Sequence, residues 1–245
     1  MKKYKLIISY DGTNFHGWQI QPDARTVAGE IKLAIEKIVN HDIVLNAASR
    51  TDAGVHSLGQ TADFSTDKSI DSQKLLRAIN ALLPCDVAVS SIEEVAENFH
   101  STFDAKGKHY RYTIYTAEID NPLTRNFHWH YRYELDVEVM KKAAKFLVGK
   151  VDFNGLKINS GKENVETVRD ISNINITIDD NELIIDVFGK SFMYKLVRSI
   201  VGLLVAAGSK KISIDEIPEL LAGKTTCRRT DVAPPQGLML IKVFY

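Results

Sequence analysis

Tyr4, Leu6, Ile8 and Tyr10 alternate with Lys5, Ile7 and Ser9, a period of two that predicts a strand ended by the Asp11-Gly12 turn. From Thr26 the period lengthens. Val27, Ile31, Ala34, Ile35 and Ile38 recur at helical spacing up to Asn40, with Thr26 placed to cap the first turn ahead of Glu30. Residues 43–48 and 60–65 read as short strands on either side of a loop, Ser72–Leu82 as a helix stopped by Pro84, and Val87–Val95 as a further strand. After Phe103 the pattern becomes alternating basic and aromatic residues, Lys106, Lys108, Tyr110, Tyr112 and Tyr115, which predict a long strand. Val139, Met140, Ala143, Ala144 and Leu147 then line one face of a helix over 137–147. Segments 171–178 and 182–188 predict a hairpin, 193–206 an apolar helix, 214–221 a short helix and 238–245 a closing strand. Strands and helices intermingle without a regular strand-helix repeat, which favours an α+β fold over a doubly wound α/β sheet.

Composition narrows the class. With 44% hydrophobic and 25% charged residues the 245-residue chain falls in the globular range, outside disordered, fibrous and coiled-coil compositions. At roughly 150 residues per domain this is one large domain or two small ones, and the change at Phe103 places the boundary near residue 105, giving halves 1–105 and 106–245. The net charge is zero, so the usual basic signature of a nucleic-acid binder is absent. The charges are nevertheless uneven: residues 1–100 hold 10 basic and 13 acidic side chains, and residues 101–245 hold 21 and 18. Cys85 and Cys227 match no zinc or redox spacing and point to a reducing, cytoplasmic setting. The N-terminal apolar run meets Asp11 too early for a signal peptide, and no stretch approaches the length of a membrane span.

Reactive and loop-forming residues are densest in Ala48-Ser49-Arg50-Thr51-Asp52-Ala53-Gly54-Val55-His56, between two predicted strands. Arg50 and Asp52 share a side of an extended loop, and Gly54 lets the backbone turn so as to present the carboxylate. Asp and Gly are also ordinary turn residues, so spacing alone leaves both readings open. Arg198 sits in the apolar 193–206 helix, where a snorkelling role is the plain alternative to a functional one. His128 and His130 project from one side of a strand, but no third ligand lies at a persuasive spacing, so no metal site is expected. Lys141, Lys142, Lys145, Lys150, Lys224, Arg228 and Arg229 are candidates for a surface facing phosphates, Arg228 and Arg229 foremost.

ASRTDAGVH resembles the signature loop of the pseudouridine synthases, specifically the tRNA pseudouridine synthase A family. The likeness extends through YDGTNFHGWQ at 10–19, NALLP at 80–84, FDAKGKHYRYTIY at 103–115, FMYKLVRSIVG at 192–202 and APPQGLMLIKVFY at 233–245, in the family's order. It implies a mixed, mostly antiparallel sheet built from two similar halves, with flanking helices and a central catalytic cleft. It implies an isomerase that converts uridine to pseudouridine at positions 38, 39 and 40 of the tRNA anticodon stem-loop, as a homodimer and without cofactor. Residue by residue, Asp52 matches the catalytic aspartate, Tyr110 the aromatic that stacks on the base, Arg198 the cation paired with the aspartate, and Arg50 an arginine that binds RNA and moves the base.

That chemistry is consistent with the residue types. Breaking and remaking a glycosidic bond needs no redox partner, and an ionised carboxylate in a pocket needs a paired cation to stay ionised. A uridine taken out of an RNA stack regains about 1–3 kcal/mol on an aromatic face such as Tyr110, while Lys108 and Arg111 hold phosphates; Tyr112 reads as a core residue. Two departures from the family pattern touch target choice: Tyr194-Lys195 replaces a usual histidine pair, and Val151-Asp152-Phe153 a usual HDF triplet. Two other readings therefore stand beside the tRNA enzyme: the same chemistry on another structured RNA such as ribosomal RNA, or an RNA-binding module without catalysis.

Overall fold

The computed structural model describes residues 1–159, 161, 166–224 and 230–245. Its ten strands and five α-helices run in mixed order, an α+β architecture, and two compact units emerge from it: Met1–Lys106 with Met239–Tyr245, and Gly107–Leu238. The final strand thus belongs with the first unit, although chain order alone assigns it to the second half.

In the first unit, β1 (Lys2–Tyr10) pairs antiparallel with both β3 (His56–Thr66) and β4 (Val87–Val95). The short β2 (Asn46–Ala47) adds antiparallel to β3, and β10 (Leu238–Phe244) runs parallel to it, pairing Met239 with His56. The alternation read in β1 is realised: Tyr4, Leu6 and Ile8 are buried and pack with Phe64 of β3. Helices α1 (Val27–Val39) and α2 (Ser72–Leu82) close this core with Ile31, Ile35, Leu75 and Ile79. Thr26 caps α1 through its hydroxyl, which accepts from the Gly29 N–H, and Asn40 ends the helix in the left-handed region at φ 58°.

In the second unit the order is β5 (Gly107–Tyr115), β9 (Glu182–Gly189), β8 (Val168–Asp179) and β7 (Gly149–Asp152), all antiparallel, with β6 (Trp129–His130) parallel to β5. The β8–β9 hairpin turns where Asp179 to Asn181 predicted it, with Asp180 at φ 49°. Helices α3 (Val137–Ala144), α4 (Leu196–Gly208) and α5 (Ile217–Leu221) complete the unit. Every residue of α4 is buried, which is why its sequence shows no amphipathic stripe.

Several boundaries differ from those expected, each for a physical reason. The strand expected at 43–48 shrinks to Asn46–Ala47, because only those two residues lie in ladder register with β3, opposite Asp63 and Ala62. β3 begins at His56 instead of residue 60, since its start is set by β1 and β10. The 193–206 helix starts only at Leu196, because Lys195 takes a left-handed conformation at φ 59°. Strand β7 lacks a period of its own and exists by pairing with β8.

Asp63 of β3 is fully buried and ties three segments of the first unit together. It accepts from the Ser101 N–H at 2.7 Å and from Asn46 Nδ2 at 3.0 Å, with Lys3 Nζ at 3.3 Å. Burial alone would push its carboxyl up, but the bonds from Ser101 and Asn46 and the charge of Lys3 outweigh that and hold it below the ordinary carboxylate range. A carboxyl depressed in the folded state contributes stability above its unfolded value, near about 4, and loses it as pH falls through the folded value. Asp63→Asn is therefore expected to be less stable than wild type near neutral pH and to lose less of its urea midpoint on acidification. Urea titrations at a series of pH values read both.

Candidate active site

The loop carrying Arg50, Thr51 and Asp52 is held at nearly every residue. The Ala48 N–H donates to the Thr61 carbonyl at 2.8 Å. The buried Gln60 amide then acts as a substitute strand neighbour, accepting from the Ser49 N–H at 3.3 Å and donating to the Ser49 carbonyl at 2.7 Å. The Thr51 hydroxyl lies 2.8 Å from the Tyr10 hydroxyl, and the Thr51 carbonyl accepts from the Trp18 N–H at 3.1 Å. A turn closes the loop, the Val55 N–H reaching the Asp52 carbonyl at 3.2 Å with Gly54 at φ 77°, the glycine position of a type II turn.

The YDGTNFHGW segment forms the floor of this loop. Gly17, at φ 90°, lies so close that a Cβ there would stand 2.7 Å from the Thr51 oxygen; a Cβ on Gly12 would stand 2.1 Å from the Val55 oxygen. The Gly54 N–H reaches the Phe15 carbonyl at 3.4 Å. His56, with no exposed surface, accepts the Gly12 N–H on Nδ1 at 3.0 Å, and Asp11 Oδ1 is 3.2 Å away. From this frame Asp52 projects half-buried, and Arg50 is exposed two residues before it.

The other candidate residues lie in the second unit. Tyr110 of β5 is 5% exposed, opposite Val187 of β9, with the Phe192 ring edge-on at 5.2 Å. Lys108 is two residues earlier on the same side of the strand, and burial lowers its ammonium to about 8. Arg111 falls on the alternate side with His109. Its guanidinium grips Asp186 through two bonds of 2.9 and 3.0 Å, and His109 Nε2 lies 2.7 Å from the same carboxylate. Lys108 therefore accompanies Tyr110, whereas Arg111 is committed to Asp186.

Arg198, buried on α4, donates from Nε to the Ala233 carbonyl at 2.7 Å, and the Ala233 N–H returns to the Arg198 carbonyl at 3.2 Å. The next carbonyl, that of Pro234, accepts the Tyr112 hydroxyl at 2.8 Å. Segment 233–234 thus brings Arg198 and Tyr112 side by side, and burial raises the Tyr112 phenol well above its ordinary value although the Arg198 charge pulls the other way. Arg228 and Arg229 lie outside the described residues. His128 engages Asp120 at 2.7 Å and His130 the Ala117 carbonyl at 2.8 Å; among the described residues no group of three His, Cys, Asp or Glu could hold a metal ion.

Periodicity did not single out Tyr10, Trp18, Gln60, Phe192 or segment 233–234 as parts of the site. The only sequence signal for them is their presence in or beside the resembling blocks.

The family model described as tRNA pseudouridine synthase matches residues 6–104 and 143–245. Proteins named tRNA pseudouridine synthase A from Ruminiclostridium cellulolyticum, Acetivibrio thermocellus and Listeria monocytogenes are 42%, 40% and 40% identical, each alignment covering all of both chains. Among solved structures, a chain of the archaeal box H/ACA sRNP Nop10-Cbf5 complex is matched over 83% of this chain and 43% of that one, at 14% identity and a TM-score of 0.37, too loose a likeness to bear on the site. No helix among the described residues is long and apolar enough to cross a membrane.

The closeness of residues 12–17 to the loop makes a steric prediction. Gly17→Ala introduces a Cβ into a left-handed position against the Thr51 carbonyl and is expected to cost roughly 1–3 kcal/mol in urea unfolding. Ala at Gly149, also left-handed at φ 95° but with nothing within 4 Å of its Cβ, is expected to cost less. The difference between the two measures the contact itself.

Proposed function

The chain belongs to the tRNA pseudouridine synthase A family, and from that premise we propose that it isomerises uridine to pseudouridine on the 3′ side of the tRNA anticodon arm, with Asp52 as nucleophile. The bond between the ribose carbon and N1 of uracil breaks, the base turns, and the same carbon joins C5. The C5 proton leaves and N1 gains one, so product and substrate are isomers and no cofactor enters the balance.

The observation that most supports this reading is the seating of Asp52: a half-buried carboxylate on a backbone clamped by Trp18, Phe15, Gln60 and its own turn. A nucleophile held in this way loses little freedom on reaching the transition state, and effective concentration at the reacting carbon is the main thing such an enzyme can supply. Arg198 is assigned the cation paired with the aspartate, a role that suits its permanent charge and its burial. Tyr110 is assigned the stacking face for the extruded base, with Phe192 holding its ring edge-on. Arg50 is exposed and suited to a phosphate or to the base in transit. Lys108 is a phosphate contact beside Tyr110; Arg111 serves better as a strut to Asp186 than as an RNA contact. Arg228 and Arg229 remain phosphate contacts proposed from sequence. The enzyme works in the cytoplasm as a homodimer, one subunit's basic surface orienting the RNA for the other.

Tritium release from tRNA labelled at C5 of uridine tests the reaction. Wild type is expected to release tritium, and Asp52→Asn to release none while still binding tRNA; binding without release by wild type would reject the reaction. Lys108 adds a pH signature. A lysine near 8 is charged below that value and loses its phosphate attraction as pH rises through it, so tRNA affinity should weaken between about pH 7 and 9. Lys108→Arg, charged throughout, should flatten that fall in filter-binding titrations.

A further inference from the structure

Arg25 lies outside both the signature loop and α1, yet it makes directed contacts to three side chains. Its guanidinium forms two parallel bonds to Asp86, Nη1 to Oδ2 at 2.7 Å and Nη2 to Oδ1 at 2.8 Å, while Nε reaches Glu30 at 3.0 Å. The same plane lies 4.1 Å from the centre of the Phe15 ring. Its backbone carbonyl accepts the His16 N–H at 2.9 Å, and the Asp86 carbonyl accepts the Asp11 N–H at 3.0 Å. Arg25 and Asp86 together therefore hold residues 11, 15 and 16, by side chain and by backbone.

Those residues are the floor of the Asp52 loop. Phe15 donates its N–H to the Gly12 carbonyl at 3.0 Å and accepts the Gly54 N–H on its own carbonyl, and Trp18 donates to Thr51. Val27 and Ala28, which follow Arg25 into α1, donate to the carbonyls of Gly17 and Trp18 at 3.2 and 3.0 Å. Segment 15–18 is thus bonded both to residues 51–54 and to residues 25–28, besides the local Phe15–Gly12 bond.

We propose that Arg25 and Asp86 are positioning residues for Asp52, an ion pair that braces segment 15–18 and through it fixes where the loop presents its carboxylate. The proposal rests on the reading of Asp52 as the nucleophile. The pair is partly open to solvent, at 36% and 18% side-chain exposure, so its worth to global stability is small. Its geometry is what matters: a planar fork gripping a carboxylate while its face covers an aromatic ring fixes direction as well as distance. Lysine can keep the charge but neither the fork nor the flat face. A displacement of the nucleophile of well under an ångström to one ångström is enough to slow a reaction by one to two orders of magnitude.

The test compares Arg25→Lys, Asp86→Asn and the double variant with wild type and Asp52→Asn, in the full-length protein well below its unfolding temperature. Single-turnover tritium release is expected to fall about tenfold in each single variant, with tRNA Kd within about twofold of wild type, and the double variant is expected to be no slower than the slower single. The amide of Gly54, followed by NMR hydrogen exchange, should exchange faster in both singles while core strand amides stay protected. Unchanged release rates, a loss carried wholly by Kd, or multiplying losses in the double variant would overturn the proposal. If wild type itself released no tritium, the reaction reading would fall and the catalytic role of the brace with it, whereas unchanged Gly54 exchange would reject the brace even in an active enzyme.

Discussion

Residues 12–17 and 51–55 approach each other at backbone distance, a contact that tolerates no side chain at Gly12 or Gly17. An exposed loop normally leaves its amides to water and its position to thermal motion. Here the Trp18 and Gly54 N–H groups are spent between the two segments, and Gln60 supplies the ladder bonds that Ser49 would otherwise lack. The result is a loop in chemistry and a near-strand in rigidity. The entropy of ordering it is met on folding.

The second unit reaches close packing of polar groups by a related route. A Cβ on Gly202 of α4 would stand 1.8 Å from the Asp231 oxygen, so the missing side chain lets segment 231–234 lie directly on the helix. That placement delivers the carbonyls of Ala233 and Pro234 to Arg198 and Tyr112. A buried guanidinium without such acceptors would be costly. The arginine is held and oriented by the segment that lies on its helix.

Charge pairs in this protein divide by what they do. Arg111 and His109 both serve Asp186 on one side of β5, leaving Lys108 and Tyr110, the residues proposed to meet RNA, on the other. The pairs of β1 with β4, Lys2 with Glu94 and Lys5 with Glu93, join neighbouring strands and, with at least one partner well exposed, contribute little. Arg25 and Asp86 differ from those surface pairs in being tied to the loop floor instead of to a strand face.

Local pattern determined a large part of this protein. The alternation of Tyr4, Leu6 and Ile8, the spacing of Val27, Ile31 and Ile35 behind a Thr26 cap, and the Asp179–Asn181 hairpin are decided by residues a few positions apart, and the α+β class follows from their order. The candidate cluster was legible too, because Arg50, Asp52, Gly54 and His56 fall within seven consecutive residues. What tertiary structure alone decided are the relations across long separations: His56 beginning a strand, β7 forming on β8, β10 joining the first unit, Arg198 meeting Ala233 35 residues away and Tyr112 meeting Pro234 122 away. Periodicity records only that a side is to be buried. It carries no information on which carbonyl a buried arginine will find, nor that Arg25 will lie across Phe15 and Asp86, because those bonds form only once the sheets have brought distant segments within reach.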